Sequence, residues 1–134
     1  MERYSFFDKF VEEVMGKILE GDDPVLETLR LQYNCATIKD IELTGVGFYI
    51  SYLIPEHAPR IQGKKSFYIG DLSGEIEGIN DGVGFVLFVK DGIIDLLEGH
   101  TYGDEKWPEV IVNYKLSFTS GKKRNVEQLK AKWQ

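Results

Sequence analysis

Val83-Gly84-Phe85-Val86-Leu87-Phe88-Val89, followed by Lys90-Asp91-Gly92 and then Ile93-Ile94-Asp95-Leu96-Leu97, is the stretch on which the fold turns. Two apolar runs of strand length flank an Asp-Gly pair, which tolerates the positive φ angles that a tight antiparallel turn demands. The spacing predicts a β-hairpin. Upstream, Ile41 and Leu43 alternate with Asp40, Glu42 and Thr44, and Val46-Phe48-Ile50-Tyr52-Ile54 alternates with Gly47, Tyr49, Ser51 and Leu53. Period-two patterning of this kind predicts two more antiparallel strands. Ser66–Ile69 and Glu75–Ile79 read as two short strands broken by Gly70 to Gly74, and Gly99–Pro108 as a polar loop. In Val110 to Thr119 the apolar set Val110, Val112, Tyr114, Leu116 and Phe118 predicts a last half-buried strand.

The chain's two ends follow a different period. Residues 4–20 place Phe6, Phe7, Phe10, Val11, Val14, Met15, Ile18 and Leu19 at spacings of three and four, which predicts an amphipathic helix. Gly21 is suited to close it, and Asp22-Asp23-Pro24 supplies an N-cap carboxylate followed by proline at the first helical position of a second helix. Val25, Leu26, Leu29 and Tyr33 share that helix's buried face, and the pattern fails near Asn34-Cys35. At the far end Val126, Leu129 and Trp133 share one helical face. Helices, then strands, then a short helix without βαβ alternation predict an α+β fold. Two N-terminal helices pack on a largely antiparallel β-sheet of about five to seven strands, with a short C-terminal helix. The 134 residues, 43% of them apolar, correspond to a single globular domain over 1–134.

Chemistry is sparse. Gly45-Val-Gly-Phe48 recurs as Gly82-Val-Gly-Phe85. Neither copy has the spacing of a phosphate loop, and both precede strands, where paired glycines permit a bend or a close backbone approach. Asp71-Leu-Ser-Gly-Glu-Ile-Glu77 lacks the glycine of a calcium loop, having Ile76 at the sixth position. Cys35 is the single cysteine, so an intramolecular disulfide is excluded, and a small packed thiol is its expected role. The densest polar cluster is Glu98-Gly-His-Thr-Tyr-Gly-Asp-Glu-Lys-Trp107. Glu98, His100 and Asp104 have the types needed for acid–base work or metal ligation, but no second histidine is near, so no metal and no cofactor is expected.

Charge is distributed unevenly. The formal charge is −6, and residues 71–109 hold ten acids against only Lys90 and Lys106, whereas the last fourteen residues carry five bases against Glu127. Nucleic acid is not an expected partner of so acidic a chain. Nothing approaches the ~20 apolar residues of a membrane span, and the polar interruptions at Asp8, Lys9, Glu12 and Glu13 break any signal-peptide core, so a cytoplasmic, membrane-free protein is expected.

Thr44-Gly-Val-Gly-Phe48, Gly84-Phe-Val-Leu-Phe-Val-Lys-Asp-Gly92 and Leu97-Glu-Gly-His-Thr-Tyr-Gly103, with Trp107-Pro108 beyond, resemble the pattern TGxGF and GFxLFxxDGxxxxLEGxTYG of a group of small uncharacterised bacterial single-domain proteins. The resemblance spans about residues 25–110. It implies a bacterial origin and one domain, and carries over no catalytic residue. Size and acidity also look like those of toxin-neutralising immunity proteins, an analogy of bulk properties alone.

Three functions follow as expectations. The first is a non-enzymatic, immunity-like module that binds a basic protein through Glu75, Glu77, Asp95, Glu98, His100, Tyr102, Asp104 and Trp107, with Tyr102 and Trp107 as aromatic anchors. The second is a small-ligand binder or enzyme built on His100, Glu98, Asp104 and Tyr102 beside the Gly45–Phe48 bend. The third is a homo-oligomer joined through the Val110–Phe118 edge or the tail.

Overall fold

The computed structural model describes residues 6–134, with side chains from residue 7. The expected helix start at residue 4 and the Phe6 side chain lie outside the described residues. Helix α1 (Phe6–Ile18) and helix α2 (Pro24–Asn34) are followed by strands β1 (Thr37–Leu43), β2 (Gly47–Leu53), β3 (Phe67–Ile76), β4 (Val83–Lys90), β5 (Ile93–Thr101) and β6 (Tyr114–Phe118), then a short helix α3 (Val126–Lys130). The strands form one open sheet in the order β1-β2-β5-β4-β3-β6, and every neighbouring pair is antiparallel. This is the expected α+β fold.

The helix signals act as their chemistry requires. Asp23 caps α2, its carboxylate accepting from the N–H groups of Val25 at 2.9 Å and Leu26 at 3.3 Å, with Pro24 at the first helical position. Arg30 of α2 donates to the carbonyls of Leu19 and Gly21, which satisfies acceptors left open where α1 ends. From α1, Phe10, Val14, Met15 and Ile18 are fully buried, as are Leu26 and Leu29 of α2. They pack on the inner face of the sheet, where Phe48, Ile50, Ile69, Leu72, Phe85, Leu87 and Leu97 complete the core. Each such side chain contributes about 1.5–3 kcal/mol through burial.

The hairpin forms as the Asp-Gly pair dictates. Asp91 has φ 54° and Gly92 φ 80°, and Lys90 pairs directly with Ile93. A buried amide then locks it. Gln32 of α2, fully buried, donates from Nε2 to the carbonyls of Pro59 and Gly92 and accepts from the Ile94 N–H at 2.9 Å.

Three expectations are corrected. The short strands at 66–69 and 75–79 are one ten-residue strand, β3. The register shift between Ile69 and Leu72 absorbs the glycine as a bulge, and β4 and β6 pair with β3 on either side. Gly99, His100 and Thr101 belong to β5 and not to a loop, because Gly47 and Gly84 let β2 and β4 pair with them. The last strand begins only at Tyr114, where the ladder with β3 ends at Ile76. Before it no partner strand enforces the alternation, so Ile111 is buried while Val110 and Val112 are exposed. Strand β1, at the edge of the sheet, is exposed along its whole length.

The tail is tied down. Leu129 and Trp133 are buried, and Trp133 packs on Phe67 with ring centroids 5.0 Å apart. Arg124 forms a two-pronged ion pair with Asp71, at 2.9 and 2.7 Å, and its third nitrogen donates to the carbonyls of Ile18 and Glu20.

Candidate functional site

The two Gly-Val-Gly-Phe copies lie on either side of β5. Gly47 and Gly84 pair with His100 from opposite sides, and Phe48 and Phe85 pair with Gly99. Gly45 and Gly82 both have positive φ, 92° and 83°, and turn the chain into β2 and β4. Alternation then separates the side chains into two rows. Phe48 and Phe85 go into the core over Gly99, and His100 stands outward between two residues that have no side chain.

The helices cover the inner face only, so the outer face of the sheet centre is accessible. Successive rows across β2, β5 and β4 are Gly47-His100-Gly84, Tyr49-Glu98-Val86 and Ser51-Leu96-Phe88. Tyr102, at the exit of β5, lays its ring across Gly84: a Cβ there would lie 2.6 Å from the Tyr102 hydroxyl. That ring meets His100 edge-on, centroids 5.5 Å apart. Tyr49 donates to Glu98 Oε2 at 3.3 Å, and the Glu98 charge is the main cause holding the Tyr49 phenol above its usual range. Glu98 Oε2 lies 3.9 Å from His100 Nδ1, which is shielded from solvent and has no hydrogen-bond partner among the described residues. Glu98 therefore stands beside Tyr49 and His100, with Tyr102 on the far side of His100.

Asp95, exposed near the hairpin end of β5, lines a shallow groove of the same outer face together with Tyr49, Leu96 and Glu98, although it lies about 17 Å along the strand from His100. The other expected residues are placed elsewhere. Glu75, exposed on β3, faces Lys115 of β6, and Glu77 accepts from the Asn113 amide at 2.6 Å. Asp104 is exposed in the loop after Tyr102, with φ 58°. Trp107 turns to the opposite side of the sheet and packs edge-on against Phe48 and Phe10, so it does not stand beside Tyr102.

The acidic stretch is thus not one patch. Asp71 is paired with buried Arg124, and Glu105 accepts from the N–H groups of Asn80 and Asp81, bracing the turn before β4. Sequence reasoning passed over Tyr49 and Gln32. For Gln32 a signal exists, a polar residue three positions after Leu29 on an apolar helix face; for Tyr49 the partnership depends on strand pairing across 49 residues.

Among the described residues no group of three or more His, Cys, Asp or Glu is gathered to hold a metal ion, and no helix is long and apolar enough to cross a membrane. No protein-family model, curated protein or solved structure matches the chain.

Proposed function

We propose that this chain is a non-enzymatic binding module that docks a basic segment of a protein partner on the outer face of its sheet. Glu98 supplies the charge, and Tyr49, His100 and Tyr102 supply the contact area. The observation that carries this reading is the carboxylate of a central strand flanked by Tyr49 and His100, with the Tyr102 ring against His100, on the outer face of the sheet. Aromatic surface around a complementary charge is the usual anatomy of an interface hot spot. An immunity-like role, with the basic partner a toxin, is one form of it.

Catalysis by His100 is less well supported. A general acid–base pair needs a carboxylate within hydrogen-bond reach, and Glu98 lies beyond it at 3.9 Å while accepting from Tyr49.

The test is amide chemical-shift mapping with a peptide of alternating lysine and leucine, repeated on Glu98→Lys and Tyr102→Ala. Saturable shifts confined to Gly84, Glu98, His100 and Tyr102, and abolished by Glu98→Lys, are expected. Binding that Glu98→Lys leaves intact, or shifts centred on another surface, overturns the proposal. A homo-oligomer would use the β1 or β6 edge, and light scattering that gives a 15.3 kDa monomer removes it.

A further inference from the structure

Strand β1 extends the outer face of the sheet by one column, and its register brings a second carboxylate there. Glu42 pairs directly with Tyr49, and Tyr49 with Glu98, so the three side chains form one row across β1, β2 and β5 on the outer side. Neighbouring strands lie ~4.8 Å apart, which puts the backbones of Glu42 and Glu98 about 10 Å from each other with Tyr49 midway between them. Glu42 is exposed and Tyr49 half-buried, so the row is open to a partner.

The two charges act on the one ring. Tyr49 donates to Glu98 Oε2 at 3.3 Å, and its phenol is held above the ordinary range first by the Glu98 charge and, as the last of several causes, by that of Glu42. Among the described residues no lysine or arginine is ion-paired with either carboxylate, and His100 at 3.9 Å is the nearest cationic group to Glu98. A partner's cation would therefore meet two carboxylates that no base of this face has claimed.

The arrangement discriminates between cations. A lysine ammonium is a compact point charge, whereas a guanidinium is planar, stacks on aromatic faces and carries donors on opposite edges. Laid on the Tyr49 ring, a guanidinium turns one edge to Glu42 and the other to Glu98, a span that a point charge does not cover. We propose that the docking face reads arginine: a guanidinium of the partner's basic segment stacks on Tyr49 between Glu42 and Glu98. This rests on the docking function proposed above and names the side chain that the face selects. The groove that Tyr49 and Glu98 share with Phe88 and Leu96 gives the residues next to that arginine an apolar floor, with Asp95 and Lys90, of opposite charge, at its hairpin end.

Calorimetric titration of the full chain with two peptides of equal length and charge, one alternating arginine with leucine and one lysine with leucine, separates side-chain type from net charge. The arginine peptide is expected to bind about tenfold more tightly. Glu42→Gln, at an exposed edge-strand position, should weaken it about threefold without changing the melting temperature. Tyr49→Leu should bring the two peptides to equal affinity, and Tyr49→Phe, which keeps the ring, should preserve the preference. Equal affinity of the two peptides for the unaltered chain overturns the arginine assignment and leaves the docking function standing. So does a preference that survives Tyr49→Leu, or arginine-peptide affinity unchanged in Glu42→Gln. Binding of neither peptide, or binding of both that Glu98→Lys leaves intact, overturns the docking function and this inference with it.

Discussion

Phe48 on β2 and Gly99 on β5 sit directly opposite one another, and the ring of the first fills the space that a side chain on the second would need. A Cβ at Gly99 would lie 2.6 Å from Phe48 Cζ, inside a fully buried cluster that has nowhere to move. Gly99→Ala is therefore predicted to destabilise by about 1–3 kcal/mol, the usual cost of overpacking. Gly84→Ala meets Tyr102 instead, a ring 52% exposed that can swing aside, so its cost should be smaller. Urea unfolding of the two variants should rank them in that order, and the reverse ranking would count against this account.

Gln32 joins α2 to the hairpin tip and to Pro59 through three hydrogen bonds from one buried amide. Gln32→Leu keeps the volume but strands the Ile94 N–H, and should cost roughly 1–3 kcal/mol. Gln32→Glu should cost more, since a carboxylate cannot donate to the two carbonyls and its charge would be buried. Hydrogen exchange at the Ile94 amide reports the loss directly.

Arg124, whose side chain is 3% exposed, binds Asp71 and also collects the carbonyls of Ile18 and Glu20. Removing one member of a buried pair strands the other, so Arg124→Ala should cost about 3 kcal/mol. Arg124→Lys should recover less than half, because an ammonium cannot span the fork and the carbonyls together. High salt should leave the wild-type contribution largely intact, since buried pairs are weakly screened. Melting temperatures with and without 1 M sodium chloride decide this.

Tyr33 and Tyr52 are both held above the ordinary tyrosine value, Tyr33 by burial and then Glu12, Tyr52 chiefly by burial. A pKa raised on folding gives stability that is fully present below the unfolded value near pH ~10 and is lost as pH rises through the folded values. Thermal melts should therefore hold level to about pH 10 and fall beyond it. Tyr52→Phe should fall less steeply, because it removes the most strongly raised of the tyrosine ionisations. An equal slope in the two proteins would show that Tyr52 is not the linked group.

Local signals were legible wherever one short segment sets its own geometry. Asp91-Gly92 announces its turn, Asp22-Asp23-Pro24 its helix start, and the spacing of Phe10, Val14 and Ile18 its buried face. What the sequence hides is partnership at a distance. Nothing local says that β5 takes β2 as its second neighbour, and without that pairing His100 reads as a loop residue and the glycine copies as mere bends. The acidic stretch misleads for the same reason: Asp71 is paired by Arg124, fifty-three residues away, and Glu105 by the backbone of residues 80 and 81. Trp107 reads as a surface anchor from its polar surroundings, yet Phe48 and Phe10 claim it.

The strand order has a consequence for how the chain can be divided. Everything before the exposed segment Gln62-Gly63-Lys64 supplies both long helices and the pair β1–β2; everything after it supplies the other four strands and α3. The two portions meet along the β2–β5 ladder, under the helices and at Gln32. Neither can complete the core alone. Co-expressed as separate peptides 1–62 and 64–134, they should reassemble without a covalent link, which would make this small chain a candidate split reporter whose halves are ordered only together.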